Sequence, residues 1–494
     1  MAIKSFISRN STQVIDDPLP PCWHRRHPTA DETVERVGGG LLSTGPQGSL
    51  GKALVELVAE AKDTVLIATF LFSDADLCDA LLAAHARGVR VYMLTASSAR
   101  LTSQRDDDFT AQMIADHQRL LDRLAGKIVL RSADCFHAKF VVVDHERAPR
   151  GWLSTANFNP ALYRGRELGL ELAPPTAQEL AAWFSWGFWT CAQHELTGEK
   201  GRLRAVDQPP VAAKVPTGDG VLVTTPEHQI LRAQLLTWIH TTKRELWLSS
   251  YALEANHDVL AAIIERAKAG VPVTVLTRPR PAVRDAVVAL REAGARVIAH
   301  DTLHAKAVIC DHGALIMTAN IAAHGLDNSF EVGVVLDRTA REALRQTLSR
   351  WIETFPWILS LGGPRADHIG DIWLADQGKD DGQRQVVEQV VKKLDDIEAE
   401  DALALDDAPS PKFVRPAERQ QLPVAVHYEW SVRAPHLPKG AKPLDDDTDA
   451  AKDEKHTPPA FQHKRQRYVV LEHEHDASAA RARANELGAK VVLP

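Results

Sequence analysis

Two stretches of the chain repeat the same order of hydrophobic and polar positions. Each stretch shows a short hydrophobic strand, a helical pattern that stops at a glycine, and a second hydrophobic strand. The matched pairs are residues 62–71 and 243–252, residues 77–87 and 259–269, Gly88 and Gly270, and residues 89–95 and 271–277. Each glycine falls where a helix end favours left-handed dihedral angles. A strand, a helix and a strand in this order predict a parallel sheet with right-handed crossovers.

Each half then continues into a longer apolar run and ends in a tryptophan-bearing helix. The runs Phe140-Val-Val-Val143 and Ala307-Val-Ile-Cys310 predict strands that are buried on both faces. The first half also has an insertion, around residues 97–122, that the second half lacks. It predicts a loop or helix that shapes one rim of a cleft. We interpret the tryptophans as core packing: Trp183, Trp186 and Trp189 in one half, and Trp351 and Trp357 in the other.

The predicted fold is therefore α/β, with two duplicated lobes, each a mostly parallel sheet flanked by helices, and a C-terminal extension. The extension contains a solvated linker and a small strand–helix–strand unit, which either contacts a protein partner or only stabilises the chain. The expected divisions are an N-terminal arm (1–40), lobe 1 (41–200), lobe 2 (201–362), a helical segment (363–411) and the extension (412–494).

Composition sets the cellular setting that we expect. The chain has 494 residues, which is too long for one compact core, and a mild net charge of −7. Its five cysteines have no paired spacing, which indicates a reducing compartment. No apolar run approaches the length of a transmembrane helix, and the N-terminus has no signal-peptide hydrophobic region. We therefore expect a cytoplasmic protein without a transmembrane segment.

One residue frame occurs in both halves. A histidine is followed two positions later by a lysine and seven positions later by an aspartate, and then by Thr-Ala-Asn and a glutamate. The two sets are His137, Lys139, Asp144, Thr155, Asn157 and Glu167, and His304, Lys306, Asp311, Thr318, Asn320 and Glu331. In an extended segment the histidine and the lysine lie on the same face, because side-chain directions repeat with period two. A phosphate between two such segments would provide the partner that buried charges require.

The paired frame resembles the phospholipase D superfamily, whose members break phosphodiester bonds through two such motifs, and the resemblance covers about residues 41–360. It implies that one histidine attacks phosphorus and forms a phosphohistidine, while the other protonates the leaving group and then activates water. We take His137 as the nucleophile, although the sequence does not decide the order. Many relatives have Gly-Ser-x-Asn where this chain has Ser154-Thr-Ala-Asn157 and Met317-Thr-Ala-Asn320.

The resemblance also implies the roles of the other motif residues. The lysines hold the nonbridging oxygens of the phosphate, and the asparagines and threonines donate to the same oxygens. The glutamates orient the imidazoles, and the aspartates are structural or orienting. The implied catalytic residues are His137, Lys139, Asp144, His304, Lys306 and Asp311, and the implied phosphate-binding or orienting residues are Asn157, Asn320, Thr155, Thr318, Glu167 and Glu331. These donors do the work of a metal, so no metal or cofactor is implied.

Three substrate readings stay open. A predicted cytoplasmic protein with both motifs fits a nuclease-like phosphodiesterase that acts on DNA or RNA. A peripheral phospholipase or phosphatidyl transferase that acts on phospholipid head groups is the first alternative. A catalytically silent phosphate-binding module is the second, although every catalytic position is occupied.

Other features offer weaker chemistry. Residues 45–52 resemble a phosphate-binding loop, but Ala53 stands where Ser or Thr is required. His473 and His475 share one strand face without further ligands, so we interpret them as a solvated edge strand rather than a metal site. Arginines follow the strand at residues 271–277, where they form either a solvated loop or a backbone-phosphate contact: Arg278, Arg280 and Arg284.

Overall fold

The structure is a computed structural model. It describes residues 5–8, 21–25, 34–97, 101, 111–198, 203–206, 214–361, 371–374, 425–428, 442–443, 460–463, 466–470 and 490–492. The chain divides into two compact units. The larger unit comprises Pro28–Arg278 and Asp285–Phe355, and so contains predicted lobe 1 and all of predicted lobe 2 except residues 279–284 and 356–362. The smaller unit comprises Met1–His27, Pro279–Arg284 and Pro356–Pro494.

The described residues of both units form the following strands and helices. The strands are β1 (Ser5–Ser8), β2 (Cys22–Arg25), β3 (Arg36–Gly38), β4 (Leu41–Ser43), β5 (Thr64–Thr69), β6 (Arg90–Ala96), β7 (Val129–Ala133), β8 (Phe140–Val143), β9 (Arg150–Ser154), β10 (Leu168–Leu172), β11 (His194–Leu196), β12 (Leu203–Ala205), β13 (Val221–Thr224), β14 (Leu246–Ser249), β15 (Val273–Thr277), β16 (Arg296–Ala299), β17 (Ala307–Cys310), β18 (Gly313–Met317), β19 (Glu331–Val335), β20 (Trp357–Ser360), β21 (Asp371–Leu374), β22 (Ala425–Tyr428), β23 (Lys442–Pro443), β24 (Ala460–His463), β25 (Gln466–Val470) and β26 (Lys490–Val492). The helices are α1 (Ser49–Glu60), α2 (Ala75–Ala86), α3 (Ala111–Leu124), α4 (Ala161–Arg164), α5 (Pro174–Thr190), α6 (Ile230–Thr241), α7 (Asp258–Lys268), α8 (Arg284–Glu292), α9 (Ala323–Leu326) and α10 (Arg338–Thr354), with a 3₁₀ turn at Pro281–Val283.

The predicted strand–helix–strand units are present in both lobes. β5 and β6 pair in parallel across α2, and β14 and β15 pair in parallel across α7. Gly88 and Gly270, which follow these helices, have φ angles of 89° and 83°, the left-handed dihedrals that the sequence predicts. The α/β class and the two duplicated lobes are confirmed.

The expectation of mostly parallel sheets is wrong in its detail. Lobe 1 has the strand order β12-β11-β7-β6-β5-β8-β9-β10-β4-β3, and lobe 2 contributes β13-β19-β18-β17-β14-β15-β16. Parallel pairs occur only within β5-β6-β7 and β14-β15-β16, and the other ladders of these two sets are antiparallel. The motif strands β8 and β17 continue through short turns into β9 and β18, and short connections permit only antiparallel pairing.

One hydrophobic core contains residues of both lobes. Helices α5 and α10 contribute to it together with inward-facing residues of β8 and β17, such as Phe140 and Ile309. A second core lies under α1, α2 and α3 in lobe 1. The two repeated motifs therefore lie at strands that are buried on both faces, as their apolar runs predict.

The tryptophan prediction is partly right. Trp183, Trp186 and Trp351 are buried on α5 and α10. Trp189 is 46 % exposed, and Arg131 lies over its ring. Trp357 is buried but begins strand β20, because Pro356 restricts the preceding residue to extended dihedrals and ends the helix.

The smaller unit contains two described sets of strands. β2 pairs with β20 and β21, and β1 pairs with β21 and β22, all antiparallel. β25 and β26 pair in parallel, as the predicted strand–helix–strand unit requires. The helix expected at 477–487, the helical segment around 386–399 and His473 and His475 lie outside the described residues. A protein partner for the extension stays a prediction.

Candidate active site

The two motif histidines lie immediately before β8 and β17. Each motif lysine folds back onto its own histidine: Lys139 Nζ is 2.5 Å from the backbone oxygen of His137, and Lys306 Nζ is 2.5 Å from that of His304. The ammonium groups also lie 2.9 and 2.8 Å from Nδ1 of the respective imidazoles. Both lysines are fully buried. Each lobe therefore presents an imidazole and a buried cation side by side, as the His-x-Lys spacing predicts.

Each imidazole is held by a carboxylate from the other lobe. His137 Nδ1 lies 2.6 Å from Oε1 of Glu331, and His304 Nδ1 lies 2.6 Å from Oε1 of Glu167. A carboxylate accepts hydrogen bonds only, so we assign the ring proton to Nδ1 in both cases. This tautomer places the ring lone pair on Nε2, which lies 3.3 Å from Lys139 Nζ in His137 and 2.9 Å from Lys306 Nζ in His304. The sequence identified the glutamates as orienting residues but gave no sign that the pairs cross between lobes.

The backbone carries the same exchange between lobes. The segment before His137 pairs with Phe330, which donates its amide to the Cys135 oxygen, while the His137 amide donates to the Phe330 oxygen. In the other direction, Arg166 donates to the Thr302 oxygen and accepts from the His304 amide. Because each bridge ends at the residue before a glutamate, both carboxylates are delivered to the opposite histidine with matching geometry.

The motif threonines fix the glutamates. Thr155 Oγ1 donates to Oε2 of Glu167 at 2.6 Å, and Thr318 Oγ1 donates to Oε2 of Glu331 at 2.5 Å. Each threonine oxygen also accepts a backbone amide, from Leu168 or Val332. The hydroxyl proton is therefore used to hold a carboxylate, which is an orienting position. Phosphate binding by these threonines stays a prediction.

The asparagines differ between lobes. Asn157 is 8 % exposed, and its Oδ1 atom is buried without a hydrogen-bond partner. Asn320 Oδ1 accepts from the Ala252 amide at 3.4 Å. A buried amide oxygen without a donor costs free energy. A phosphate oxygen cannot donate to Oδ1, so this unpaired atom gives no support for phosphate binding, and the phosphate-binding role of both asparagines stays a prediction.

The structure does not bring Asp144 and Asp311 to the histidines. The Asp144 carboxylate accepts the amides of residues 62–64, at 2.7–3.2 Å. The Asp311 carboxylate accepts the amides of residues 243–245, at 2.8–3.3 Å. Both follow a four-residue strand, so the motif spacing carries them to its far end. There they join the turn after the motif strand to the start of β5 or β14.

Charge around His137 disfavours its imidazolium form. Burial, Lys139, His324, Lys306 and His304 hold the pKa of His137 well below its usual value. His137 is therefore neutral at pH 7, as a nitrogen nucleophile must be. The participation of Lys306 and His304 shows that the two halves interact electrostatically as one site.

The lysine and the second histidine are tuned by the same forces. Burial lowers the pKa of Lys139 to about 8, although Glu331 and Glu167 raise it. Burial also lowers the pKa of His304, and Glu167 opposes this effect. Burial would raise the pKa of Glu167, but His304, Lys306 and Thr155 together lower it, so this carboxylate is ionised.

Three site residues escaped the sequence interpretation. The ring of Phe70 lies 4.6 Å from that of His137, and the ring of Tyr251 lies 4.8 Å from that of His304. His324 lies 5.5 Å from His137, measured between ring centroids. Phe70 and Tyr251 occupy equivalent positions in the duplicated strands, so an alignment of the two halves shows the signal. His324 has no counterpart in lobe 1 and gives no such signal.

The described residues lack two features. In the ranges that the structure describes, no helix combines the length and the apolar character needed to cross a membrane. Within the same ranges, no three side chains of His, Cys, Asp or Glu are grouped so as to hold a metal ion.

Comparison with known families gives one match in each lobe. The family described as "Cardiolipin synthase, PLD-like domain" matches residues 54–189 and 235–355, which together make up more than half of the chain. Both matches contain the site residues of their lobe. None of the curated proteins is significantly similar to the chain.

Solved structures show distant similarity. Polyphosphate kinase from Porphyromonas gingivalis is 17% identical with a TM-score of 0.40, covering 60% of this chain and 47% of that one, so the match spans about half of the kinase. Phosphatidylserine synthase from Haemophilus influenzae is 12% identical with a TM-score of 0.49, covering 74% and 94%. The phospholipase D family member Nuc from Salmonella typhimurium is 22% identical with a TM-score of 0.24, covering 28% and 96%. At these values the similarities do not inform function.

The crossed histidine–glutamate pairs predict a crossed electrostatic effect. Glu167→Gln removes the charge that opposes burial at His304, so the pKa of His304 should fall further below its usual value. The pKa of His137, which contacts Glu331 instead, should change less. Imidazole ¹⁵N chemical shifts measured against pH test this. Glu171→Gln, at an exposed position on β10 four residues after Glu167, is the control. A larger change at His137 than at His304 would contradict the crossed arrangement.

The position of Asp144 predicts a loss of stability rather than of catalysis. Asp144→Ala removes an acceptor for three amides and places alanine at a φ of 51°, so the free energy of unfolding should fall by about 1–3 kcal/mol. Asp144→Asn keeps an acceptor oxygen and tolerates this φ, so it should lose less. Denaturant unfolding measures both. Turnover per folded molecule should stay near the wild-type value, and a selective loss of turnover would give Asp144 a catalytic role.

Proposed function

Because the chain belongs to the phospholipase D superfamily, we propose that it is a metal-independent phosphodiesterase that acts on nucleic acid through a phosphohistidine intermediate. The observation that carries the proposal is the crossed pair of His–Glu contacts, each with a buried lysine beside it. A phosphoryl transfer in two steps can use one imidazole as the nucleophile and a second as the general acid and base. This site offers two imidazoles, and each is held by a carboxylate.

In the first step, His137 Nε2 attacks phosphorus. A P–N bond forms and the P–O bond to the leaving group breaks. His304 acts here as the doubly protonated imidazolium, which Glu167 favours, and gives its Nε2 proton to the departing oxygen. Lys139 and Lys306 stabilise the charge that gathers on the nonbridging oxygens. Glu331 holds the His137 proton on Nδ1, so the attacking nitrogen is fixed in direction.

In the second step, His304, now neutral, takes a proton from water. The water oxygen attacks phosphorus, the P–N bond breaks, and His137 returns to its starting state. A group that exchanges protons with solvent needs access to it, and the His304 side chain is 20% exposed, compared with 7% for His137. This difference supports His304 as the acid and base and His137 as the nucleophile.

Nucleic acid as the substrate is supported by the charge near His304. Arg166 and Arg278 both act electrostatically on His300, which lies four residues before His304. Together with the two buried lysines they exceed what one phosphodiester requires, and a polyanion brings further negative charge. A phospholipid head group is the second candidate, because the matched family is described as a cardiolipin synthase domain.

Chelation should leave activity intact. The proposed site neutralises phosphoryl charge with Lys139, Lys306 and the asparagines, so hydrolysis should continue in excess EDTA. The purified protein is incubated with single-stranded DNA, double-stranded DNA, RNA and mixed phospholipid vesicles, and products are followed. Cleavage of the vesicle lipids alone would replace nucleic acid by phospholipid. Activity that EDTA abolishes and Mg²⁺ or Zn²⁺ restores would refute the metal-independent mechanism, and the absence of cleavage of all four would favour a silent module.

The two histidines should separate on an activated substrate. With an ordinary phosphodiester, alanine at either position should abolish turnover. With a p-nitrophenyl phosphodiester the leaving group needs no proton, so His304→Ala should retain the first step and accumulate an acid-labile adduct on His137. His137→Ala should stay inactive. General acid catalysis contributes about 10²–10⁴-fold, so the contrast should be clear.

Release of p-nitrophenolate and mass spectrometry of the adduct measure the two steps. His85→Ala, on the surface of α2, is a control for the loss of an imidazole elsewhere. The reverse pattern would exchange the two roles. Near wild-type activity in both variants would refute the mechanism.

A further inference from the structure

The two halves of the site are equivalent in backbone but not in charge. Four positions around the histidines differ between the lobes. On the His304 side they are Tyr251, Arg278, His300 and Arg166, and on the His137 side they are Phe70, Ala96, Ala133 and Phe330. The second set is apolar and at most 1% exposed. A site built for one symmetric phosphodiester does not require this difference.

Arg278 is positioned by stacking. Its guanidinium carbon lies 5.5 Å from the centroid of the Tyr251 ring, and that ring lies 4.8 Å from the ring of His304. Lys306 Nζ lies 5.8 Å from the same Tyr251 centroid. A tyrosine that faces two cations holds them in fixed positions. The guanidinium is therefore no farther from the His304 ring than these two distances together.

Arg278 also has a structural neighbour in His300. The parallel ladder of β15 and β16 ends with Thr277 opposite Ala299, and the His300 amide donates to the Thr277 oxygen at 3.1 Å. The next residues, Arg278 and His300, therefore emerge side by side at the same edge of the sheet. The carboxyl ends of parallel strands at such an edge are where α/β sheets bind ligands.

Arg166 joins this group from the other lobe. Its backbone donates to Thr302 and accepts from the amides of His304 and Ala305, so it is fixed directly beside the catalytic segment. Its charge, with that of Arg278 and after the effect of burial, lowers the pKa of His300 to about 4. His300 is thus neutral at pH 7, and the lasting positive charge of this edge comes from the two arginines. All three residues are half-buried, so the group is accessible to a ligand.

We propose that Arg166 and Arg278 form a second anion subsite beside His304, which binds a phosphate carried by the leaving group of the substrate. The inference rests on the proposed function, in which His304 protonates the leaving oxygen, because the group that departs must then lie on the His304 side. Guanidinium groups bind phosphate through paired hydrogen bonds. The four matching positions on the His137 side are apolar, and the imidazole of His324 beside His137 offers no guanidinium. The subsite therefore gives the symmetric backbone a direction.

The first experiment compares small substrates that differ by one phosphate. The substrates are the thymidine dinucleotide TpT and its 5′- and 3′-phosphorylated forms, and product analysis identifies which nucleoside leaves. The form with its extra phosphate on the leaving nucleoside should be cleaved with a kcat/KM about tenfold or more above TpT. The other phosphorylated form should gain less.

Variants then locate the effect. Arg166→Ala and Arg278→Ala should each reduce this preference severalfold or more, and Arg278→Lys, which keeps charge but loses the paired geometry, should lie between. Arg296→Ala, an exposed arginine at the opposite end of β16, should keep the preference. Thermal unfolding checks that each variant is folded. Equal kcat/KM for all three dinucleotides, or a preference that survives in both alanine variants, would overturn the subsite.

A vesicle arm identifies the source of the phosphate. Phosphatidylglycerol is compared with phosphatidylglycerol phosphate, whose head group carries a second phosphate on the leaving side. A preference seen only in vesicles supports the subsite and assigns it to a lipid head group. A preference seen only in dinucleotides supports it and assigns it to nucleic acid.

A binding measurement separates failure of the subsite from failure of the proposed function. Calorimetry compares thymidine 3′,5′-bisphosphate with the 3′- and 5′-monophosphates, none of which needs to be cleaved. The bisphosphate should bind about tenfold or more tightly, and both alanine variants should lose that advantage. If no diester is cleaved, the binding result decides. Tighter binding of the bisphosphate then rejects the proposed function and keeps the subsite, whereas equal affinities for the three ligands reject both.

Discussion

Each half of this protein supplies a glutamate that contacts the motif histidine of the other half. Glu331 contacts His137, and Glu167 contacts His304, while a threonine behind each glutamate fixes its second oxygen. Buried carboxylates and ammonium groups are costly unless they are paired. Here two lysines and two glutamates share one interior and favour each other's charged forms. Removal of one of them would leave an opposite buried charge less well compensated. The core under α5 and α10 and the backbone bridges at Phe330 and Arg166 hold the two lobes in the positions that this pairing requires.

The same electrostatic setting supports the proposal that the site acts on a phosphodiester. The interior holds His137 neutral and brings the pKa of Lys139 down to about 8. An incoming phosphodiester adds negative charge where two ammonium groups lie beside two imidazoles. The charge that builds up during phosphoryl transfer is then met by groups already in place, so little reorganisation is needed.

Sequence alone predicted the duplicated α/β lobes, the burial of the motif strands and the pairing of histidine with lysine, because these follow from local periodicity. It did not predict the antiparallel part of each sheet, since apolar runs such as Phe140–Val143 have the same pattern in either direction. Nor did it reveal that the glutamates cross between lobes. Glu167 is 30 residues from His137 in the chain but contacts His304, and no spacing rule carries that information. Asp144 shows a related limit. It belongs to the same sequence motif as His137, but its carboxylate lies at the far end of β8, because membership of a motif does not fix proximity in space.

A duplicated chain with crossed contacts has a freedom that a symmetric dimer of one lobe would lack. In such a dimer every substitution would occur twice, so a change that suits the departing group would also alter the surroundings of the nucleophile. Here Arg278 and Ala96 occupy matching positions, and each was set without the other. The fused architecture thus permits a backbone of near twofold symmetry to support a reaction that is itself one-directional. Specialisation of the two halves is then limited only by the few residues that they must exchange.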